Sequence, residues 1–414
     1  MRIAIITDTF LPKIDGIAIS INNFCRVLGE RGHQFQIFCP KYEADNFTHI
    51  GEHTEVFRFS NFSLPSYADV KIAIPGPNKI RKAFKAFQPD IIHLHTPGVL
   101  GQYAITLSMM YGLPLIGTYH TLVSEQNMYI HPYRLFKIDK LIGFLRSSDK
   151  KKDITRNLDK IVRKKEKSFS KQVILTMTNT MYERCDVLIS PSHLIKKTLI
   201  ESGVSVPIKV VSNGIDLNKY EQAAKTSLVK NPHLIHAGRI SFEKNADVIL
   251  KAFALVLKKI PGATLDIVGD GPALASLKVE ARQLGIDEKV TFHGFVPHDD
   301  LVRMYPSFDL FLTASTMETQ GLVALEAITC GLPCVGVDAF ALPELIQHET
   351  NGFLAKPYDH IEMAERTVEL LTNEELYLRF SKAGLGIAEQ HNLPACATKL
   401  EEAYEYAIAL SESA

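Results

Sequence analysis

Short apolar runs bounded by polar or turn-forming residues recur along the whole chain. In the first half they fall near 2–7, 34–39, 55–59, 91–94, 114–118, 186–190 and 208–211. In the second half they fall near 234–237, 264–268, 289–292, 309–313, 333–337 and 352–355. Runs this short, apolar on both faces, predict buried parallel strands. Between them apolar residues return every three or four positions, which predicts helices such as 17–30, 192–202, 245–258 and 273–284. Strands alternating with helices predict an α/β chain of parallel sheets covered on both faces. Two such series imply two doubly wound domains. The first series ends in VSNGIDLNKY (211–220), where Asn213-Gly214 signals a turn, and a polar stretch, 221–232, precedes the next strand. We place the domains at 1–207 and 208–394, with a last helix, about 395–414, able to cross back to the first.

The length, 414 residues, suits two domains. With 22% charged and 46% hydrophobic residues the composition is that of a globular chain. Lys+Arg and Asp+Glu are equal at 46 each, which argues against a nucleic-acid partner. The charge is unevenly spread, however. Residues 1–220 hold 30 basic and 19 acidic side chains, so the first half carries the positive excess. The six cysteines form no C-x-x-C pair, which reads as reduced thiols in the cytoplasm. The opening MRIAIITDTF reads as a strand and not as a signal peptide. Residues 91–124 lack charge, but prolines, glycines and three histidines interrupt them, so a buried strand–helix–strand is expected there and no membrane span.

In open parallel sheets ligands bind beyond the carboxyl ends of strands, so the cleft between the two domains is the expected site and residues after strands carry most weight. After the first strand, Pro12 and Gly16 deliver the chain to a helix start that suits a phosphate, or is an ordinary turn. VGDGPAL (268–274) has Gly269 and Gly271 but Leu274 where a dinucleotide fingerprint needs a third glycine. His93, His95 and His120 sit at adjacent strand ends. They could bind zinc, although no carboxylate or cysteine accompanies them; we expect no metal, and His120 is the best placed to touch a substrate. Arg239 and Lys244 flank a loop after a strand and suit a diphosphate, unless they pair with Glu243 or Asp247. In TASTMETQGLVALEAITCG, Gly321 opens a helix whose first N–H groups, at Gly321 and Leu322, could face a phosphate. Glu318 before it and Glu326 within it could hold sugar hydroxyls, the latter those of a ribose; the plain alternative is a capped surface helix.

Residues 134–171 hold 14 basic against 5 acidic side chains. Leu141, Ile142 and Leu145 recur at helical spacing beside Lys137 and Lys140, followed by Lys150, Lys151, Lys152, Lys164 and Lys165. A basic amphipathic stretch of this kind reads as a membrane-surface element, or as helices with solvated basic faces.

These motifs in this order (TDTFLP..DG, DIIHLHTP, TYHT, VSNGIDL, HAGR with Lys244, HGFVPHDDL, and Glu318 with Glu326 eight residues on) resemble the family 4 retaining glycosyltransferases of the GT-B fold. ETQG, with Gln320 where many members carry an aromatic residue, resembles the bacterial diacylglycerol glucosyltransferases among them. Asp15 stands where the family often has a glycine. The resemblance implies two Rossmann-like domains facing each other across a deep cleft, and transfer of a hexose, glucose first, from UDP-glucose to a lipid such as diacylglycerol. It implies front-face transfer without a metal or other cofactor, a phosphate oxygen of the donor taking the acceptor proton. His120 would contact the donor sugar and Glu318 its hydroxyls. Arg239, Lys244, Gly16 and the helix start at Gly321, Leu322 and Val323 would meet the phosphates. Glu326 would bind the ribose, and Phe295 and Val296 the base. The enzyme would sit peripherally on the anionic inner face of the cell membrane. A family member with a water-soluble acceptor, and a two-domain ligand-binding protein of the transport type, are the alternatives.

Overall fold

The computed structural model describes residues 1–13, 15–42, 50–64, 67–74, 76–120 and 176–413. The basic stretch and its candidate residues, Lys137, Lys140, Leu141, Ile142, Leu145, Lys150, Lys151, Lys152, Lys164 and Lys165, lie outside the described residues. The chain divides into two compact units.

The first unit comprises Met1–Ser190, Thr198–Lys209 and Glu401–Ala414. Its strands are β1 (Arg2–Ile6), β2 (Gln34–Pro40), β3 (Thr54–Phe59), β4 (Asn61–Leu64), β5 (Tyr67–Ala73), β6 (Ile91–Leu94), β7 (Leu115–Thr118), β8 (Val187–Ser190) and β9 (Ile208–Val210). Seven of them form one sheet in the order β3-β2-β1-β6-β7-β8-β9. The β1 run IAII pairs in parallel with β2 on one side and β6 on the other, Ile3 opposite Phe35 and Ile91. Its side chains are buried on both faces, as expected for a central parallel strand. The antiparallel pair β4–β5 stands apart from this sheet and is not foreshadowed by the alternation of apolar runs. The sheet changes direction between β1 and β6, so the loops after those two strands lie side by side. The last stretch of chain is tied in by Glu401, which accepts hydrogen bonds from Arg31 (3.0 Å) and His33 (2.7 Å).

The second unit comprises Pro191–Lys197 and Val210–Leu400. Its strands are β10 (His233–Ala237), β11 (Thr264–Val268), β12 (Val290–Gly294), β13 (Leu310–Leu312), β14 (Cys334–Val337) and β15 (Gly352–Ala355). All are parallel, in the order β12-β11-β10-β13-β14-β15. The first three strands build outward one way and the next three the other, which is the doubly wound plan with its switch point between β10 and β13. Helices Ala246–Leu257 and Leu322–Thr329 bury apolar stripes on the sheet. The glycines of VGDGPAL answer to packing: a Cβ on Gly269 would lie 1.8 Å from the Gly238 carbonyl oxygen, and one on Gly271 would lie 2.3 Å from that of Ile240. Two strand-end loops touch backbone to backbone there, with Ile240 N–H donating to Asp270 at 2.9 Å.

Candidate active site

The switch point of the second unit brings the loop after β10 beside the loop after β13. The first carries Arg239 and Lys244, the second Glu318, 74 positions further along the chain from Lys244. The Lys244 ammonium donates to Glu318 at 2.5 Å, and both side chains are mostly buried. Lys244 therefore does have a carboxylate partner, and it is neither of the neighbours considered from sequence. Glu243 accepts from the Ser241 hydroxyl at 2.6 Å and Asp247 pairs with Lys251 at 2.8 Å. Burial by itself pushes the Glu318 carboxyl up; the charge and hydrogen bond of Lys244 more than reverse this, so it titrates below its ordinary value. Beneath the pair, His236 donates its Nδ1–H to the Leu312 carbonyl at 2.9 Å, and burial lowers it to about 4, so it is neutral at physiological pH. Asn245 ties the two loops together by donating to the Ala314 carbonyl at 3.1 Å. Arg239 stays exposed and makes no ion pair among the described residues.

Gly321 precedes the helix Leu322–Thr329 with φ of 91°, a left-handed conformation that favours glycine, and offers no side-chain cap. The first N–H groups of that helix have no partner within it. Leu322 and Val323 are half-buried there, directly after Glu318 and Gln320. The Lys244 ammonium in its ion pair with Glu318, the exposed Arg239 guanidinium and an uncapped helix start follow strand ends of this one sheet, a setting suited to a doubly charged diphosphate.

One and a half turns into the same helix, Glu326 is 6% exposed. Its Oε1 accepts from His298 Nε2 at 2.9 Å and its Oε2 from the Tyr305 hydroxyl at 3.1 Å. The Glu326 hydrogen bond holds His298 above its usual range against the effect of burial, so imidazolium and carboxylate stabilise one another. Burial and then the Glu326 charge push the hydroxyls of Tyr220 and Tyr305 up, keeping both protonated. A carboxylate can accept about four hydrogen bonds, so a clamp of His298, Tyr305 and Tyr220 orients Glu326 without exhausting it. Sequence reasoning quoted His298 within HGFVPHDDL but gave it no role, and it passed over Tyr220 and Tyr305. Only tertiary proximity marks them. Phe295, at the end of β12, is 63% exposed, and Val296 beside it is half-buried.

Gln320 is buried and structural. Its Oε1 accepts from the Asn213 backbone and side-chain nitrogens at 2.9 and 2.7 Å, and its amide donates to Ser212 at 2.6 Å. Ser212 also meets His391 at 2.9 Å. An aromatic side chain could not make these bonds, which accounts for glutamine at this position together with the VSNGIDL motif.

In the first unit the loops after β1 and β6 are joined through Asp8. The Thr96 hydroxyl donates to its carboxylate at 2.7 Å, and Leu100 N–H donates at 3.2 Å from the start of the helix Val99–Tyr111. Burial nevertheless raises the Asp8 carboxyl above its ordinary range. Gly16 is exposed at the start of the helix Gly16–Glu30. Asp15 caps that start, accepting from Ala18 N–H at 2.9 Å and from the Thr9 hydroxyl at 2.6 Å. A phosphate approaching Gly16 would meet this carboxylate, so the extra acidic residue changes what the first loop can hold. The three histidines do come together: His95 Nδ1 lies 2.8 Å from His120 Nε2, and His93 bonds to Tyr404 and Thr118, each at 2.7 Å. Burial lowers His93 and His120 to about 3. Both His93 nitrogens are engaged by hydroxyls and one nitrogen of His95 by His120, and no cluster suited to a metal ion occurs among the described residues.

Known proteins resemble this chain over most of its length. Residues 14–219 match the family "Glycosyltransferase Family 4" and residues 218–385 match "Glycosyl transferases group 1". The chain is 29% identical over 383 residues to alpha-monoglucosyldiacylglycerol synthase of Streptococcus pneumoniae, covering 90% of this chain and 78% of that protein. It is 27% identical to the sulfoquinovosyl transferase of Arabidopsis thaliana, covering 95% of this chain and 71% of that protein. Among solved structures, HepE of Anabaena in complex with UDP superposes with a TM-score of 0.73 at 20% identity, covering 98% of this chain and 100% of that one. A sucrose-phosphate synthase from Thermosynechococcus elongatus gives 0.74 at 18%, covering 99% of each. These superpositions establish the fold.

Proposed function

From the premise that the chain belongs to the family 4 retaining glycosyltransferases of the GT-B fold and is a hexosyltransferase, we propose that it transfers glucose from UDP-glucose to a membrane lipid, diacylglycerol or a glycolipid built on it. The observation that carries the donor half is the Lys244–Glu318 pair at the switch point, with exposed Arg239 and the uncapped Gly321 helix start beside it. Lys244, Arg239 and the N–H groups of Leu322 and Val323 neutralise the leaving diphosphate. Glu318, held ionised by Lys244, accepts hydroxyls of the donor sugar, and His120, neutral, donates to it. Glu326 accepts the ribose hydroxyls, and Phe295 and Val296 border the base. With no carboxylate serving as nucleophile, a phosphate oxygen of the donor takes the acceptor proton as the new bond forms on the face the diphosphate leaves. The acceptor half rests on the streptococcal relative above, whose name describes synthesis of a glucosyldiacylglycerol. The test is a donor screen with membrane lipid extract and mass spectrometry of the product. A glucosylated diacylglycerol is expected; a sugar product left in the water phase would replace the lipid reading with a soluble acceptor.

Charge neutralisation by side chains and a helix start leaves no step for a divalent ion. Transfer is therefore expected to proceed unchanged in excess EDTA. Loss of activity restored by magnesium or manganese would show that the diphosphate site has been misread.

Among the described residues no helix is long and apolar enough to cross a membrane; the proposed contact with lipid is a peripheral one, through basic surface on the anionic inner face. Besides the stretch 134–171, the helix Pro77–Phe87 supports this reading. It buries Ile80, Ala83 and Phe84 and exposes Lys79, Arg81, Lys82 and Lys85, with no acidic residue. Each cation near an anionic surface contributes about 1 kcal/mol. Vesicles containing anionic lipid are expected to bind the protein, less so as salt rises, and neutral vesicles to bind it weakly. Replacing these four residues by glutamate, together with Lys150, Lys151, Lys152, Lys164 and Lys165, should abolish sedimentation with anionic vesicles and leave UDP-glucose affinity intact. Unchanged sedimentation would remove the membrane reading.

A further inference from the structure

The histidine row in the first unit has one feature that packing alone does not require. His95 is 3% exposed; its Nδ1 is 2.8 Å from His120 Nε2, while its Nε2 is buried with no hydrogen-bond partner. The two rings lie nearly in one plane, their centroids 5.1 Å apart with 17° between the planes, as an in-plane hydrogen bond requires, and the His93 ring centroid is 4.0 Å from that of His95. We infer that His95 is a positioning residue that fixes which nitrogen of His120 carries the proton. The inference rests on the reading of His120 as a contact of the donor sugar.

A neutral imidazole has one N–H and one bare nitrogen. Placed on Nε2 of His95, the proton would be a buried donor with no acceptor, which carries the full cost of its lost hydration. Placed on Nδ1, it is used, and only an acceptor lone pair goes unfilled, the more tolerable defect. So His95 donates through Nδ1, and His120 Nε2 must be the acceptor. The single proton of His120 is then confined to Nδ1. Burial disfavours the doubly protonated form of both rings, and each neighbour's charge would oppose the other, so neither ring escapes by taking a second proton at physiological pH. His93 cannot relieve the constraint, since both its nitrogens are engaged by Tyr404 and Thr118. The result is a donor of fixed direction on His120, whose ring is held by its hydrogen bond to His95, where an unconstrained histidine would sample both tautomers.

The test reads the tautomer directly. In protein labelled with 15N in its histidines, long-range proton–nitrogen NMR at neutral pH should show His120 protonated on Nδ1 and bare at Nε2. A His120 protonated on Nε2 in the wild-type protein overturns the inference, and this measurement needs no variant. His95→Phe keeps the ring and removes the donor; His95→Asn keeps an amide N–H near the position of Nδ1. In transfer from UDP-glucose to membrane lipid extract, kcat should fall roughly 10- to 100-fold in H95F and about threefold or less in H95N, with donor KM nearly unchanged. Equal kcat for the two variants also overturns it. A His120→Ala variant separates the two ideas: full activity in H120A removes the sugar-contact reading, whereas the NMR spectrum still decides the tautomer.

Discussion

Replacing Lys244 by alanine should reduce kcat/KM for transfer by about 10²–10³-fold or more, the loss seen when one preorganised charge-stabilising group is removed from a transition state. Two effects combine. The leaving diphosphate loses a cation at the point where its charge develops, and Glu318, 16% exposed at its side chain, loses the ammonium 2.5 Å away that keeps it ionised. In the wild type the Glu318 carboxyl titrates below its ordinary value because Lys244 outweighs burial. A carboxyl of depressed pKa contributes stability that is present above its unfolded value and lost as the pH falls through the folded one. Without Lys244, burial is opposed only by the weaker effects of Ser315 and His236, so the carboxyl rises and that contribution shrinks. Lys244→Ala should therefore lose stability near neutrality and depend less on pH in the acid range, whereas Lys244→Arg should retain most of the stability and part of the activity. Steady-state kinetics and denaturation at several pH values measure both. Wild-type kcat/KM in K244A would exclude Lys244 from the diphosphate site.

Glu326→Ala should weaken UDP-glucose binding about 10- to 150-fold, corresponding to the loss of roughly 1.5–3 kcal/mol in hydrogen bonds to a charged acceptor. The ribose does not react, so these bonds are present in both the ground state and the transition state. The loss should fall on donor Kd and KM and leave kcat within a few fold. The structure adds a second expectation. His298 and the Tyr305 hydroxyl, at 2.9 and 3.1 Å, lose their acceptor, and the raised His298 pKa should fall back towards the ordinary value or below it, because burial is then opposed only by the weaker charge of Asp299. Histidine NMR titration reads that shift, and calorimetry with UDP reads the affinity. Affinity unchanged in E326A would place the ribose elsewhere, and an unchanged His298 titration would contradict the clamp.

Much of this protein is determined by the sequence alone. Short runs apolar on both faces, alternating with helical patterns, fit parallel strands covered on both sides, so the order of strands and helices, and hence two doubly wound units, follow from local pattern. Positions after strands identify Arg239, Lys244, Glu318, Gly321 and Glu326 as candidates, because in such sheets backbone and side chains at strand ends are left open to a ligand. What the pattern cannot carry is which of these groups meet. Lys244 has acidic neighbours at 243 and 247, but it pairs with Glu318, because the switch between β10 and β13 places two loops distant in sequence side by side. Glu326 carries no sequence mark of His298 or Tyr305, which reach it from the segment after β12. His93, His95 and His120 look alike as strand-end histidines. Burial depth and the direction of each ring give His93 hydroxyl partners, His95 an unfilled nitrogen and His120 a fixed proton. Local propensity and periodicity act within a few residues and are written in order along the chain; hydrogen-bond partners, charge pairing and desolvation depend on distances across the fold, and only the tertiary structure decides those.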